Sequence, residues 1–248
     1  MRKSWIGLVI AAVLSLIAGS GPAPAEEALT PEQKQAVEQT IRDYILANPE
    51  IVRDALMELQ RQQQEAEQVA RQGAITELHD YVATLPADYV KGNPGAQTAI
   101  IEFFDYRCPY CKAVSPTVDG LVAEDAEVRV VLIEFPILGE ESLFASRAAI
   151  ASRAQGKYLV FHDAMMGHKG KLDQETILEL ADDVGVDVDR LKTDMKSPEI
   201  DALIGRHHQL ADKLGVTGTP AFVIGQELVP GAIDAETMKA KIKQARQS

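Results

Sequence analysis

The sequence predicts an α/β domain preceded by an N-terminal α-helical arm. A strand, a helix and a second apolar strand follow one another between Thr98 and Phe135. The chain returns to strands at Ala221 and ends in a helix. Strands joined by a helix pair in parallel, so the first three elements form a βαβ unit. The arm is predicted by the stretch from Glu50 to Val82, which contains no Gly or Pro before Gly73 and is rich in good helix formers.

Residues 1–25 have the features of a secretory signal peptide. Arg2 and Lys3 precede an uncharged apolar run from Ile6 to Ala18, which is shorter than the ~20 residues of a membrane-spanning helix. Ala23-Pro24-Ala25 is then a small-x-small cleavage pattern. We therefore expect export to a compartment where disulfides persist; the alternative is an uncleaved membrane anchor.

The composition argues against several classes of function. The 248 residues include 25 Lys and Arg but 37 Asp and Glu, which gives a net charge of -12. A nucleic-acid-binding protein needs a basic surface, so we expect no nucleic-acid partner. Two cysteines are too few for a disulfide scaffold or an all-cysteine zinc site. They are enough for one functional pair.

Two helices are predicted in the arm, residues 26–84. Thr30-Pro31-Glu32-Gln33 has the residues of a capping box with Pro in the first turn, and this helix should run to about Ala47. Asn48-Pro49 separates it from the second helix, Glu50 to about Val82.

An apolar stripe with heptad spacing runs along the second helix. Its members are Val52, Leu56, Leu59, Gln63, Ala66, Ala70 and Gly73. The stripe could pack on the chain's own domain or form a seam between subunits. We expect the seam and therefore a homo-oligomer, because the arm lies outside the predicted α/β domain and has little else to pack against.

The predicted domain occupies residues 95–248 and follows a linker, residues 85–94, that contains the turn-rich segment 91–95. Several short helices are expected at about 139–212, followed by a hairpin and a last helix. The predicted elements are strands 98–104 and 128–135, the hairpin 221–224 and 228–229 with a turn at Gly225-Gln226, and the helix 235–245.

The chemistry is concentrated in one C-x-x-C motif, Cys108-Pro109-Tyr110-Cys111. Cys108 lies at a predicted helix N-terminus, where unpaired N–H groups and the helix dipole stabilise a thiolate. The i,i+3 spacing places both sulfurs on one helical turn. A structural disulfide or half of a zinc site is the alternative; zinc would need two further ligands, for which only His207-His208 could serve.

The residues around this motif resemble the DsbA group of bacterial periplasmic thiol–disulfide oxidoreductases. The resemblance covers about Gly95 to the C-terminus and rests on three segments, Ile101 to Lys112, Glu134 to Gly139, and Gly215 to Phe222. It implies a thioredoxin fold with a helical insertion and a periplasmic location. The preceding helical region resembles the N-terminal oligomerisation segment of the suppressor-of-copper-sensitivity branch, the ScsC-like proteins.

The resemblance also implies roles for five residues. Cys108 would be the exposed attacking sulfur and Cys111 the buried resolving sulfur. Thr219-Pro220 would form a cis peptide bond beside the dithiol, with a trans turn as the alternative. Glu102 would be a buried acid beneath the dithiol that relays the proton of Cys111, with an outward-pointing Glu as the alternative.

The function expected from these features is disulfide exchange with exported proteins that contain cysteines. Tyr110 stands where the strongest oxidants of the family have His, so we expect a milder protein that acts as an isomerase or reductase. A DsbA-type oxidase is one alternative. The partner would be a DsbB-like or DsbD-like membrane protein. No cofactor or resident metal is expected.

A function of another class is a copper-binding stress protein. It would use the dithiol as a metal clamp, since soft thiolates bind Cu(I). A second set of soft and imidazole ligands is His162, Met165, Met166 and His168. Phe161, Met165 and Met166 equally suit the buried face of a helix.

Overall fold

A computed structural model describes residues 29–247 of the chain. It separates into two compact units, of which the first ends at Gln62 and the second begins at Gln63. The predicted signal peptide lies outside the described residues. Among residues 29–247, no helix is both long enough and apolar enough to cross a membrane.

The arm consists of two helices, as predicted. α1 spans Pro31–Ala47, and Thr30 and Gln33 form the expected capping box at its start. α2 spans Glu50–Ala83. Every residue of the heptad stripe is exposed in the single chain.

The sheet has five strands in the order β1-β3-β2-β4-β5. The strands are β1 Val90–Gly92, β2 Thr98–Phe104, β3 Val128–Glu134, β4 Ala221–Ile224 and β5 Glu227–Pro230. β2 and β3 pair in parallel, which confirms the βαβ unit. β4 pairs antiparallel with β2 and with β5, which confirms the predicted hairpin.

Seven helices complete the second unit: α3 Pro109–Glu124, α4 Glu140–Ser152, α5 Tyr158–Gly167, α6 Gln174–Asp183, α7 Val188–Asp194, α8 Pro198–Leu214 and α9 Ala235–Ala245. α4 to α8 form the helical insertion between β3 and β4. This is a thioredoxin fold with a helical insertion, as the resemblance implied. The reason is visible in β2 and β3, which are buried from Ile100 onward and from Val130 onward and need helices on both faces.

The second half of α2 belongs to the α/β unit, whereas the sequence placed the arm boundary at residue 84. Ala74, Ile75, Leu78 and Val82 are buried in the same apolar cluster as Phe103 of β2. These four residues form a second helical stripe, separate from the heptad stripe. The part of α2 before Ala74 is therefore exposed, and the part from Ala74 onward packs in the α/β unit, although the helix is continuous.

Residues 85–94, predicted as a linker, contain the edge strand β1. Val90, Lys91 and Gly92 pair antiparallel with β3, and Tyr89 is buried directly before the strand. The turn residues Asn93-Pro94-Gly95 follow it. The sequence indicates the turn but not the strand, because three residues are too few to show an alternating pattern.

Candidate functional site

The dithiol lies where β2 passes into α3. β2 ends at Phe104, and Cys108 is the N-cap residue of α3 with an extended backbone (φ -72°, ψ 117°). Pro109 is the first helical residue, where its missing N–H has no cost. Cys111 follows within the first turn. Both cysteines are free thiols.

Neither sulfur is broadly accessible. Cys108 is 4% exposed and Cys111 is fully buried. The expectation that Cys108 is exposed is therefore wrong for the dithiol form. The segment before β4 covers Cys108, because the Sγ atom of Cys108 donates a hydrogen bond to the main-chain oxygen of Thr219 at 3.2 Å. Cys108 remains the more accessible of the two thiols.

The Thr219–Pro220 peptide bond is cis. Pro220 is buried and leads directly into β4. The contact with Cys108 uses the backbone of Thr219 rather than its hydroxyl. The structure thus brings Cys108 and Thr219 together, although 111 residues separate them along the chain.

Burial decides the acidity of the second thiol. It raises the pKa of the Cys111 thiol well above its ordinary value, and the nearby Cys108 and Glu102 raise this pKa further, while a backbone hydrogen bond lowers it. Cys111 is therefore protonated at neutral pH. Removing its proton requires an acceptor or a conformational change.

Glu102 is a buried acid close enough to Cys111 to raise the pKa of that thiol. Its side chain is 3% exposed, so the alternative of an outward-pointing Glu does not hold. Burial raises the pKa of Glu102 to about 8, although Lys91 lowers it. Its Oε1 atom is buried and has no hydrogen-bond partner within residues 29–247. A carboxyl group with this pKa can hold or release a proton near neutral pH.

Lys91 is a charged neighbour that the sequence did not indicate. Its Nζ atom lies 2.6 Å from Oδ1 of Asp119 and 2.6 Å from Oδ1 of Asp163. Burial alone would lower the pKa of Lys91, but these two hydrogen bonds raise it overall. A cation is therefore held near Glu102, where it favours the ionised form of that carboxyl group.

Asp105 fixes the turn that carries the dithiol. Its carboxylate accepts from the backbone N–H of Arg107 at 2.8 Å and from the Ser142 hydroxyl at 2.8 Å. It also accepts from the backbone N–H groups of Ile137 at 2.8 Å and Leu138 at 3.0 Å. One buried side chain thus ties the turn before Cys108 to the β3–α4 loop.

A second buried acid, Glu134, lies at the end of β3. Its carboxyl group accepts from the hydroxyl groups of Tyr106 and Tyr158, both at 2.9 Å, and of Ser146 at 2.7 Å. Burial raises the pKa of Glu134 to about 8, although the three hydrogen bonds lower it. The Tyr106 hydroxyl also lies 3.1 Å from Nδ1 of His162. Because Tyr106 belongs to the turn before Cys108, this network anchors that turn to the end of β3 and to α5.

The sequence reasoning missed Lys91, Asp105 and Glu134 as members of the site. A signal existed for two of them, because Asp105 and Glu134 stand at the carboxyl ends of neighbouring parallel strands, where functional groups converge. Lys91 gave no such signal, since β1 was not predicted.

The proposed histidine and methionine ligands for copper do not form an open cluster. His162 faces Tyr106, and Met165 and Met166 belong to the apolar core. The described part of the chain contains no group of three or more His, Cys, Asp or Glu residues placed to hold a metal ion.

Comparisons with known protein families agree with this geometry. Residues 99–243 match the DSBA-like thioredoxin domain family. Residues 33–66 match the family described as copper resistance protein ScsC N-terminal domain. The first match includes the dithiol and the Thr219–Pro220 bond, and the second lies within the helical arm.

Solved structures extend the likeness. The chain is 43% identical to a thioredoxin-like oxidoreductase from Silicibacter pomeroyi DSS-3, with a TM-score of 0.63 over 66% of this chain and 99% of that chain. A linker-deletion mutant of Proteus mirabilis ScsC is 26% identical, with a TM-score of 0.66 over 90% of this chain and 99% of that one.

A curated relative of different size shares the same region. The chain is 28% identical over 160 residues to the Na(+)/H(+) antiporter NhaA 3 of Salinispora tropica, which covers 64% of this chain. The chain spans about a quarter (24%) of the length of that protein.

Proposed function

The chain belongs to the DSBA-like thioredoxin domain family, and we propose that it is an exported thiol–disulfide oxidoreductase acting on cysteines of other exported proteins. The observation that carries the proposal is the position of Cys108 at the N-cap of α3, with Cys111 one turn later and protonated. This arrangement supports Cys108 as the reacting thiol and Cys111 as the resolving thiol.

The helix N-terminus supports the reactivity of Cys108. A thiolate there is stabilised by the positive end of the α3 dipole and accepts hydrogen bonds from unpaired N–H groups of the first turn. In the oxidase reaction, a substrate thiolate attacks the Cys108–Cys111 disulfide at Cys108. The electron pair of the broken S–S bond passes to Cys111, which takes up a proton. A second substrate thiolate then attacks the substrate sulfur of the mixed disulfide and releases the Cys108 thiolate.

Glu102 is proposed as the group that handles the proton of Cys111. In the resolving step Cys111 must lose a proton before its sulfur attacks the mixed disulfide at Cys108. The buried carboxyl of Glu102, with a pKa raised to about 8 by burial, matches that task at neutral pH.

Within this chemistry we favour the isomerase or reductase direction. There the Cys108 thiolate attacks a wrong substrate disulfide, the released substrate thiolate attacks elsewhere, and Cys108 is freed again. The arm supports this direction, because an oligomer would hold several dithiols near one misfolded chain and shield them from a reoxidising partner. Oxidase activity of the DsbA type is the alternative.

Self-association is proposed through the arm. Leu46, Leu56 and Leu59 are 73%, 61% and 51% exposed, and an apolar groove of about 510 Å³ lies between the end of α1 and the start of α2. Several exposed leucines close together would be stabilised by burial against a second copy of the chain.

The location follows from the same chemistry. We propose that residues 1–25 direct the protein to the periplasm, where substrate disulfides persist and a DsbB-like or DsbD-like membrane partner would reset the dithiol. The redox state of Cys108 in cells separates the two directions, because a disulfide indicates an oxidase and a dithiol indicates an isomerase or reductase.

The test combines two assays on the purified protein. Refolding of scrambled ribonuclease by the reduced protein is expected, with Cys108→Ser as the inactive control. If only the oxidised protein has activity, and only on reduced ribonuclease, the oxidase alternative replaces the isomerase. A protein without either activity that binds Cu(I) through Cys108 and Cys111 would instead support the copper-clamp alternative.

A further inference from the structure

A basic groove opens beside the dithiol. Its volume of about 660 Å³ falls within the range of ligand-binding clefts, ~300–1,000 Å³. The lining residues are Arg107, Pro109, Lys112, Pro116, Met166, Gly167, His168, Lys169, Gly170, Lys171 and Leu172. Arg107 and Pro109 flank Cys108 in the sequence, so the groove adjoins the reactive sulfur.

The charge of this groove is opposite to that of the chain. Arg107, Lys112, Lys169 and Lys171 are cationic, and among residues 29–247 no Asp or Glu lines the groove. The chain as a whole carries a net charge of -12. Arg107 and Lys171 each pair with an acidic residue, so the four cations leave a smaller but still positive net charge at this opening, which attracts anions.

Two of these cations already have structural tasks. Lys112 donates to the main-chain oxygens of Met165 at 2.6 Å and His168 at 2.9 Å, which holds the α5–α6 loop over the groove. Arg107 pairs with Glu141 at 2.9 Å. These contacts shape the wall next to Cys108.

The other two lysines are available to a ligand. Lys169 is exposed and makes no ion pair among the described residues. Lys171 pairs with Asp173 at 3.1 Å, but its side chain is 76% exposed. An exposed pair of this kind contributes little to stability. The fold therefore does not require either lysine.

We propose that the groove selects polypeptide substrates whose reactive cysteine is flanked by acidic residues. This inference rests on the proposed exchange chemistry and names its substrate class. A peptide joined to Cys108 in a mixed disulfide lies next to Arg107 and Pro109, which line the groove together with Lys169 and Lys171. The proposal therefore pairs a carboxylate of a neighbouring peptide residue with these two lysines. Complementary charge of this kind raises the rate of encounter more than the final affinity.

The test uses three synthetic peptides, each with one cysteine carrying the same thionitrobenzoate group in disulfide linkage. The cysteine is flanked by Asp, Ser or Lys residues. The Cys108 thiolate of the reduced protein attacks the peptide sulfur, the peptide–thionitrobenzoate S–S bond breaks, and the thionitrobenzoate anion leaves. Its absorbance gives the rate. We expect the acidic peptide to react about fivefold or more faster than the neutral one at low ionic strength.

Salt and substitution separate the groove from other causes. The preference should fall toward ~1 near 1 M salt, where the screening length is ~3 Å. Lys169→Glu with Lys171→Glu should abolish or reverse the preference for the acidic peptide over the neutral one. Lys192→Glu with Lys196→Glu is the matched control, since both lysines are exposed and neither lines the groove.

The outcomes are distinguishable from a failure of the proposed function. Equal rates for the three peptides, with a fast neutral peptide, would overturn the substrate selection and leave the exchange chemistry intact. A preference that persists in the Lys169/Lys171 variant would also overturn it. If even the neutral peptide fails to react at Cys108, the exchange chemistry itself is wrong.

Discussion

The Sγ atom of Cys108 donates to the main-chain carbonyl oxygen of Thr219 at 3.2 Å. This single contact joins the two segments that the sequence singled out, the C-x-x-C motif and the loop before β4. It also covers the sulfur, which is only 4% exposed. A substrate that reaches Cys108 must therefore displace or share this backbone acceptor.

The first prediction separates the side chain of Thr219 from its backbone. Thr219→Val removes the hydroxyl but keeps the carbonyl acceptor. We expect the alkylation rate of Cys108, measured with iodoacetamide in a Cys111→Ala background, to change by no more than about twofold, since the contact is a backbone one. A tenfold loss of rate would assign the contribution to the hydroxyl instead.

The second prediction concerns the two thiols. Burial raises the pKa of Cys111, so the Cys108→Ala protein should resist alkylation between pH 7 and 9. The Cys111→Ala protein should react at least about tenfold faster, because the thiolate is the reactive species. Mass spectrometry of the labelled proteins measures both rates. Similar rates for the two variants would contradict the assignment of attacking and resolving sulfur.

The third prediction is a pH dependence. The pKa of Glu102 is raised by burial from 4.5 to about 8, so the folded protein holds this proton more tightly than the unfolded chain. Its contribution to stability is complete below about pH 4.5 and is lost as the pH rises toward 8.

Urea unfolding of the reduced protein across this range measures the effect. Glu102→Gln should flatten the decline of the unfolding free energy with pH. A residual slope should remain, because burial also raises the pKa of Glu134 to about 8. If wild type and Glu102→Gln decline in parallel, Glu102 is not the buried titrating acid described above.

The fourth prediction concerns Asp105. Asp105→Ala leaves the buried hydroxyl of Ser142 and the N–H groups of Ile137 and Leu138 without their acceptor, which should cost about 2–4 kcal/mol. Asp105→Asn keeps one oxygen and should cost less. Urea denaturation midpoints give the order. An unchanged midpoint for Asp105→Ala would show that the loop does not depend on this carboxylate.

The fifth prediction concerns the arm. Leu56→Asp with Leu59→Asp should convert an oligomer to a monomer in analytical ultracentrifugation, because it places charge on the proposed seam. Gln68→Asp is the control, since Gln68 is exposed on the same helix but outside the stripe. A full-length protein that is monomeric without any substitution would refute the seam.

The point of truncation matters for the same experiment. Removing residues up to Gln62 should leave a folded monomer with a reactive Cys108, since the second compact unit begins at Gln63. Removing residues up to 84 also removes Ile75 and Leu78, which are fully buried and contribute ~1.5–3 kcal/mol each. The longer deletion should therefore unfold at a clearly lower temperature.

The strands other than β1, the last helix and the dithiol turn could be predicted from the sequence because local signals determine them. β2 is apolar except for Thr98 and Glu102, and the residues that cap α1 lie three positions apart in the chain. The position of Cys108 at a helix N-terminus follows from Pro109 in the same way.

The remaining features depend on distant contacts. The second stripe of α2 is a short apolar series, and its burial depends on packing against residues of the sheet. β1 spans three residues and is identified by its pairing with β3. The low exposure of Cys108 comes from Thr219, and the ion pairs of Lys91 come from α3 and α5. The strand, the low exposure and the ion pairs leave no periodic pattern in the sequence, and the stripe shows only that one face of α2 is apolar.

The most direct test of the account is the capture of a mixed disulfide at Cys108. The Cys111→Ser protein is incubated with a peptide disulfide and analysed by mass spectrometry after proteolysis. We predict a stable adduct on Cys108, and transfer of the disulfide without a lasting adduct in wild type, where Cys111 resolves it. An adduct absent from Cys111→Ser, or formed equally in Cys108→Ser with Cys111 intact, would contradict exchange through Cys108.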